Sequence, residues 1–250
     1  MSLKCGIVGL PNVGKSTLFN ALTKAGIAAE NYPFCTIDPN VGIVEVPDPR
    51  LEKLTEIVKP KAVQPATVEF VDIAGLVAGA SRGEGLGNKF LANIRETDGI
   101  VHMVRCFAND NIVHVAGKID PISDIEVIQT ELALADLATV EKTVQRESKL
   151  AKSGNKESIR NTTVLEGLYS HLDQNKPARS FKFEDTQHAL IKSMCLLTMK
   201  PTIYVANVAE TGFQDNPLVK KVQDYATQEG APVVVVCASL EAEIADLSDD

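Results

Sequence analysis

A nine-residue segment near the N-terminus constrains the fold more than any other part of this chain. Residues 9–17 read GLPNVGKST and match the phosphate-binding pattern G-x-x-x-x-G-K-[ST]. The segment follows an apolar run typical of a strand and opens a run typical of a helix, which is the context in which this pattern binds phosphate. A chance glycine-rich turn does not require that context, so the sequence predicts a P-loop nucleotide site.

The residue types of this segment suit a phosphate site. Gly9 and Gly14 allow tight turns because they carry no Cβ. Backbone N–H groups can surround the phosphates at the positive end of the following helix; they belong to Asn12, Val13, Gly14, Lys15, Ser16 and Thr17. We expect Lys15 to act as a catalytic residue that places its charge on the β- and γ-phosphates, and the Ser16 hydroxyl to ligate Mg²⁺.

Two further segments are predicted to complete the phosphate and metal site. Asp72 ends the apolar run VEFVD, and Gly75 follows it at D-x-x-G spacing. We expect Asp72 to hold Mg²⁺ through water and the Gly75 N–H to sense the γ-phosphate. Thr36 lies in the connection between the two motifs, where a threonine can close over the γ-phosphate and complete the Mg²⁺ shell. The alternative for Thr36 is an ordinary loop residue.

Short apolar strands alternate with helical stretches along most of the chain. The predicted strands are KCGIVGL (4–10), VGIVEV (41–46), ATVEFVDIAG (66–75), GIVHMVRCF (99–107), PTIYVAN (201–207) and APVVVVCAS (231–239). Helices are predicted at residues 14–26, 48–58, 86–96 and 217–230, the last closed by Gly230. This alternation predicts an α/β fold with a doubly wound, mostly parallel sheet and a ligand at the carboxyl ends of the strands.

The alternation stops at residues 121–200, where the pattern is helical throughout. Apolar residues recur every three or four positions, beginning with Ile125, Ile128, Leu132 and Ala135. Polar breaks at residues 151–156 and 173–180 fit the ends of helices. We interpret 121–200 as a helical hairpin or coiled-coil arm, inserted into a nucleotide-binding domain formed by residues 1–120 and 201–250. The alternative is an ordinary helical elaboration of the core.

The composition narrows the functional classes. The chain has 250 residues, a net charge of −8 and five scattered cysteines without a C-x-x-C pair. Disulfides and a structural zinc are therefore not expected, and the cysteines fit a reducing cytoplasm. No apolar run reaches the roughly 18 residues of a membrane span, so no membrane partner is expected. The negative overall field does not attract DNA, and an RNA contact would need a local basic patch.

Residues 207–210 read NVAE at a strand end, where guanine-binding proteins carry Asn-Lys-x-Asp. In that motif the carboxylate accepts hydrogen bonds from guanine N1–H and the 2-amino group. Val208 replaces the lysine and offers an apolar contact, while Glu210 is longer than Asp and can turn away. Asn207 can still bind N7, which both purines carry, so guanine selection is weakened without an established adenine preference. Ser239, after the last strand, is predicted on the other wall of the base pocket.

Together these motifs resemble the YchF/Obg-like ATPase family of translation-factor-class P-loop NTPases. The resemblance rests on residues 9–26, 31–42, 72–91 and 207–210 and covers essentially the whole chain. It implies an Obg-type nucleotide domain, a coiled-coil insertion and a C-terminal TGS domain; we expect the TGS domain to be absent from this chain, which stops at Asp250. It also implies Mg²⁺ as cofactor, ATP binding at least as tight as GTP binding, and a ribosome partner, through rRNA or ribosomal proteins.

The sequence lacks the glutamine that orients the attacking water in many related GTPases. Many related GTPases place a glutamine directly after D-x-x-G to orient the attacking water. Here that residue is Leu76, so we expect slow hydrolysis. The family resemblance nominates His114 as a catalytic residue, since a neutral imidazole can accept a proton from water. The alternative for His114 is a structural loop histidine. Arg82 is interpreted as a solvated cation, and the alternative for it is a finger-like cation at the phosphates.

Basic residues recur every three or four positions on the predicted arm. They are Lys142, Arg146, Lys149, Lys152, Lys156 and Arg160, and we call them the basic stripe. Such a run is usually a solvated face with acidic neighbours. The resemblance to a ribosome-associated family offers a second interpretation, an rRNA contact.

Two functional classes share these motifs. One is a Mg²⁺-dependent ATPase that also accepts GTP, and the other is a nucleotide-controlled binding module with negligible turnover. A guanine-specific Obg-type GTPase is a third hypothesis, which the NVAE segment disfavours. Turnover without a partner would separate the first two.

Overall fold

The computed structural model describes residues 2–24, 40–73, 86–109 and 118–247. The strands within these residues are β1 (Leu3–Val8), β2 (Val41–Glu45), β3 (Thr67–Asp72), β4 (Gly99–Arg105), β5 (Thr202–Asn207) and β6 (Val233–Val236). They form one sheet in the order β2-β3-β1-β4-β5-β6. β2 runs antiparallel to β3, and the other pairs are parallel. The predicted mostly parallel α/β sheet is confirmed.

The helices of the described residues are α1 (Lys15–Lys24), α2 (Pro49–Val58), α3 (Leu86–Arg95), α4 (Pro121–Lys152), α5 (Lys156–Asp173), α6 (His188–Ser193), α7 (Pro217–Glu229) and α8 (Ala238–Ile244). Their ends follow local chemistry. Asn216 caps α7 by accepting from the N–H groups of residues 218 and 219. Gly230 ends α7 in a left-handed conformation, φ 68°, as predicted. In the part of the chain described, no helix has the length and apolarity needed to cross a bilayer.

The strand order brings the segments that follow β1, β4 and β5 together. β4 lies between β1 and β5, with Val8 opposite His102 and Arg105 opposite Asn207. β5 separates two apolar clusters, because Tyr204 points into one and Val205 into the other. The loop after β1 therefore meets the loops after β4 and β5 at one edge of the sheet, the edge at which such sheets bind ligands.

Helix α2 forms where the sequence predicts it, but its apolar face is not buried. No residue of α2 is buried, and Leu54 and Val58 are 55% and 67% exposed. The helix is held instead by its ends. Asp48 accepts a hydrogen bond from the Arg50 N–H, and Lys59 closes the helix in a left-handed conformation.

Helix α4 belongs to two parts of the molecule. Its first half is buried against the sheet through Ile125, Ile128 and Leu132. Its second half packs against α5 in a separate apolar cluster that includes Val140 and Leu165. The helical hairpin predicted from the sequence is present, and the helix that carries it also elaborates the core. The boundary predicted at residue 121 falls where this shared helix begins.

A buried carboxylate fixes the root of the hairpin. Asp136 of α4 accepts hydrogen bonds from the Leu197 N–H at 2.8 Å, the Thr198 N–H at 2.8 Å and the Thr198 hydroxyl at 2.7 Å. Burial raises the pKa of Asp136, and these hydrogen bonds oppose the rise. The Thr198 hydroxyl also accepts from the Ala178 N–H at 2.9 Å. The chain returning from the hairpin is therefore bonded to α4 at the point where α4 leaves the core.

Candidate nucleotide site

The P-loop needs glycine at two positions. A Cβ on Gly9 would lie 2.5 Å from the Met103 carbonyl oxygen of β4. Gly14 has φ +99°, and a Cβ there would lie 2.5 Å from Nδ2 of Asn207. Both distances are too short for a Cβ atom. Only glycine at these two positions lets the loop pass this close to β4 and β5.

Lys15 lies inside this loop. Its side chain is 8% exposed, and Nζ donates a hydrogen bond to the Leu10 carbonyl at 2.9 Å. Burial lowers the pKa of Lys15, and the nearby Asp72 carboxylate opposes that effect. A largely buried ammonium group next to the N-terminus of α1 suits a polyanionic ligand.

Ser16 and Asp72 form a pair that fits Mg²⁺. The Ser16 hydroxyl donates to Asp72 Oδ2 at 3.1 Å. Asp72 Oδ1 is buried and has no hydrogen-bond partner among the described residues. A buried carboxylate oxygen without a partner is costly, and a hydroxyl beside a carboxylate offers the oxygen ligands that Mg²⁺ prefers. The same described residues contain no cluster of three or more His, Cys, Asp or Glu side chains.

An open cleft of about 670 Å³ runs from the P-loop along the ends of β4 and β5. This volume is typical of a small-molecule site. The cleft brings together predicted site residues from three segments: Asn12, Gly14, Thr17, Asn207, Val208, Glu210 and Ser239. It is also lined by Phe107, Ala108, Asn109, Ala209, Thr211 and Ala238.

Asn207 ties the two ends of the cleft together. Its Nδ2 donates to the Val13 carbonyl at 2.9 Å, and its Oδ1 accepts from the Ala238 N–H at 3.0 Å. The side chain is 4% exposed. Asn207 therefore joins the P-loop to the segment after β6, and its predicted contact with N7 of the base stays a prediction. Val13 takes part through its carbonyl, since its side chain is in the core.

Val208 and Glu210 differ in burial. Val208 is 2% exposed, packs in the cluster that contains Tyr204, and donates its N–H to the Val236 carbonyl at 2.8 Å. Most of the Val208 side chain thus packs in the core, and the apolar contact between Val208 and the base stays a prediction. Glu210 is exposed at the cleft, as expected for a carboxylate that can turn away.

Phe107 and Asn109 were not predicted as site residues. Both follow β4, which lies next to the P-loop strand in the sheet. The sequence does predict a strand, GIVHMVRCF, that ends at Phe107, and ligands bind at the carboxyl ends of such strands. This signal could not be used without the strand order, which places β4 between β1 and β5.

Several predicted residues lie outside the described residues. They are Thr36, Gly75, Leu76, Arg82 and His114. Their roles at the γ-phosphate, at the metal and in hydrolysis therefore stay predictions.

Comparison with known proteins adds to this geometry. The model of a family described as 50S ribosome-binding GTPase matches residues 4–135. The ribosome-binding ATPase YchF of Haemophilus influenzae is 62% identical over 250 residues, which are all of this chain and 69% of that protein. The chain belongs to the YchF family. YchF of Bacillus subtilis is 58% identical and is covered to 69%. The structure of the Schizosaccharomyces pombe YchF GTPase superimposes with a TM-score of 0.85 at 38% identity, over 99% of this chain and 68% of that one.

Proposed function

We propose that this chain is a Mg²⁺-dependent P-loop ATPase that hydrolyses ATP slowly, also accepts GTP, and works in association with the ribosome. One observation carries the proposal: the buried Lys15, the Ser16–Asp72 pair and the open cleft of about 670 Å³ share one edge of the sheet. The names of the relatives, ribosome-binding ATPases, support both the reaction and the partner.

The phosphate end of the site binds and orients the polyphosphate. Backbone N–H groups of residues 12–17 and the Lys15 ammonium group bind the phosphate oxygens. Ser16, with Thr36, would hold Mg²⁺, and Asp72 would hold it through water. When bound, the ion would neutralise part of the negative charge of the phosphate groups. The Gly75 N–H would contact the γ-phosphate.

Slow turnover follows from the residue after D-x-x-G. Leu76 cannot hydrogen-bond water, so this chain lacks the usual side chain that orients the nucleophile. His114 is the proposed acid–base group, because a neutral imidazole can accept a proton near neutral pH. A binding module with negligible turnover remains the second candidate, and Leu76 is the residue that favours it.

The base end of the site is proposed to bind ATP at least as tightly as GTP. Glu210 is exposed and one methylene longer than the aspartate of guanine readers, so it can leave the adenine edge free. Asn207 holds both walls of the cleft in place, and Ser239 lies on the wall after β6. A guanine-specific GTPase would need a fixed carboxylate at the base edge.

Calorimetry with Mg·ATP and Mg·GTP tests the nucleotide site. Lys15→Ala should weaken ATP binding by about tenfold or more, since a hydrogen bond between charged groups contributes about 1.5–3 kcal/mol. Lys53→Ala, an exposed lysine on α2, is the matched control and should bind like the parent. Equal ATP affinity of Lys15→Ala and the parent would exclude the phosphate site. A Mg²⁺ titration of binding with Ser16→Ala tests the metal role independently of turnover.

Phosphate release separates the enzyme from the binding module. The ATPase hypothesis expects slow release by the chain alone and faster release with ribosomes. Absence of release under both conditions, in a protein that binds Mg·ATP, would leave the binding module as the function.

The basic stripe is proposed as the ribosome contact, through rRNA phosphates. The six residues of the stripe are exposed. Glu147, which follows Arg146, is 6% exposed, accepts from Asn161 at 3.3 Å and forms a 3.4 Å ion pair with Arg146. The six exposed cations outnumber the exposed carboxylates among them, Glu141 and Glu157, which favours contact with a polyanion.

A further inference from the structure

A buried guanidinium group lies behind the base cleft. Arg105 ends β4 and is 1% exposed. Its Nε donates to the Phe107 carbonyl at 3.1 Å, and its Nη2 donates to the Asn109 carbonyl at 3.2 Å. The guanidinium carbon also lies 4.7 Å from the centre of the Phe107 ring. One side chain thus contacts both ends of the three-residue segment 107–109, which lines the cleft.

The wall formed by 107–109 depends on these bonds. The segment has no regular secondary structure, so no helix or strand ladder fixes its path. The residue before it is fixed, because Cys106 donates its N–H to the Asn207 carbonyl at 2.7 Å and accepts from Asn216 Nδ2 at 3.0 Å. A planar guanidinium holds two carbonyl oxygens at a set separation, which an ammonium group cannot do.

Asp124 supplies a counter-charge for Arg105. It is 4% exposed and lies in the first turn of α4. Burial lowers the pKa of Arg105, and the Asp124 carboxylate opposes that effect. A buried guanidinium group is costly without negative charge nearby, and the Asp124 carboxylate supplies part of that charge.

We propose that Arg105 is a positioning residue that sets the 107–109 wall and thereby the affinity for the purine base. The inference rests on the proposed nucleotide-binding function and deepens it. Arg105 acts through Phe107 and Asn109 on the base end of the site. The phosphate end, formed by the P-loop, does not depend on this contact.

Binding of a ligand with and without a base tests the assignment. Mg·ATP, Mg·GTP and Mg·tripolyphosphate are titrated by calorimetry into the parent, Arg105→Lys and Asp124→Asn. Arg105→Lys should weaken ATP binding about tenfold and leave tripolyphosphate binding within about twofold, because the wall is displaced and the P-loop is not. Asp124→Asn should weaken ATP binding in the same direction by a smaller factor.

Arg50→Lys is the matched control, since Arg50 is exposed on α2 and lies away from the cleft. Urea unfolding shows whether each variant is folded. If Arg105→Lys does not fold, the binding data for Asp124→Asn are used instead. Equal loss of ATP and tripolyphosphate affinity would show a general structural role and overturn the proposal. Unchanged ATP affinity in both variants would also overturn it. A parent that fails to bind ATP would instead contradict the proposed function itself.

Discussion

At the scale of single residues, Asn207 makes the two ends of the cleft one unit. Its amide bridges the Val13 carbonyl of the P-loop and the Ala238 N–H after β6. Loss of the amide leaves a buried carbonyl and a buried N–H without partners. The physical effect of Asn207 is therefore on the shape of the site and on stability, whichever purine is bound.

Asn207→Ala should weaken ATP and GTP binding by the same factor. It should also lower the free energy of unfolding by about 1–3 kcal/mol, the cost of leaving buried polar groups unpaired. Calorimetry and urea unfolding measure the two effects, with the exposed Asn20→Ala on α1 as control. A selective loss of one nucleotide would contradict this expectation, because both the bridge and a contact with N7 affect the two purines alike.

Glu210→Asp should shift the ratio of affinities toward GTP, because the shorter carboxylate is held nearer the position that accepts from guanine. A fully formed bidentate base contact corresponds to about 1–3 kcal/mol, so a shift of up to about tenfold is expected. Competition between ATP and GTP measures it. An unchanged ratio would place the selectivity elsewhere in the cleft. Adding Val208→Lys to this variant would not help to restore the guanine motif. It would bury an ammonium group and lower the free energy of unfolding by about 2 kcal/mol or more.

The residues that could be predicted are those whose role depends on local spacing. Lys15 and Ser16 follow from one nine-residue motif, and their place beside Asp72 follows from two strand ends. Arg105 could not be assigned, because its role depends on β4 lying between β1 and β5. The contact of Val208 with the base stays a prediction, and nothing in its own segment shows that the core will cover most of its side chain.

At the scale of elements, periodicity predicts helices but not what covers them. α2 has the spacing of an amphipathic helix, yet Leu54, Ile57 and Val58 are exposed. α4 has one continuous pattern, yet its first half packs on the sheet and its second half on α5. Helix formation depends on neighbours in sequence, whereas burial depends on elements far along the chain. The arm was therefore predictable as helical hairpin, and its shared helix was not.

Reversing charges on the arm should weaken binding to ribosomes. The variant combines Lys142→Glu, Lys149→Glu and Lys152→Glu and leaves Arg146 in its 3.4 Å ion pair with Glu147. Co-sedimentation should fall most at low salt, because contacts to RNA phosphates are salt-dependent. ATP affinity should stay within about twofold of the parent.

The control for this variant reverses exposed lysines elsewhere, Lys53, Lys220 and Lys221. If the control and the arm variant lose the same fraction of sedimented protein at each salt concentration, the effect is one of net charge. The basic stripe would then be a solvated face.

At the scale of the whole molecule, a buried histidine makes stability depend on pH. His102 lies in the middle of β4, 3% exposed, with its ring 5.4 Å from that of Tyr204. Burial lowers the pKa of His102 to about 4; the Glu229 carboxylate opposes this, and the charges of Arg179 and Lys15 add to it. The unfolded chain takes up this proton near pH 6.5 and the folded chain does not. The contribution of the neutral His102 to the free energy of unfolding is therefore fully present above about pH 6.5 and is lost as the pH falls toward 4.

His102→Gln should flatten this dependence. Between pH 7.5 and pH 5 the parent should lose about 2 kcal/mol more unfolding free energy than the variant, from the difference between the two pKa values. Urea unfolding at the two pH values measures the loss, and the solvent-exposed His188→Gln should behave like the parent. Parallel losses in parent and His102→Gln would mean that the buried ring is protonated in the folded protein.

The continuity of α4 has a mechanical consequence. The helix begins at Pro121, is bonded to the returning chain at Asp136, and continues to Lys152 without a break. At about 1.5 Å per residue, the part beyond Asp136 is a rigid rod of roughly 24 Å. A tilt of about 10° at its root would carry the tip through roughly 4 Å, by the geometry of such a rod. A small rotation of α4 at its root would therefore displace the exposed lysines near its far end, Lys149 and Lys152, much further than the residues beside Asp136.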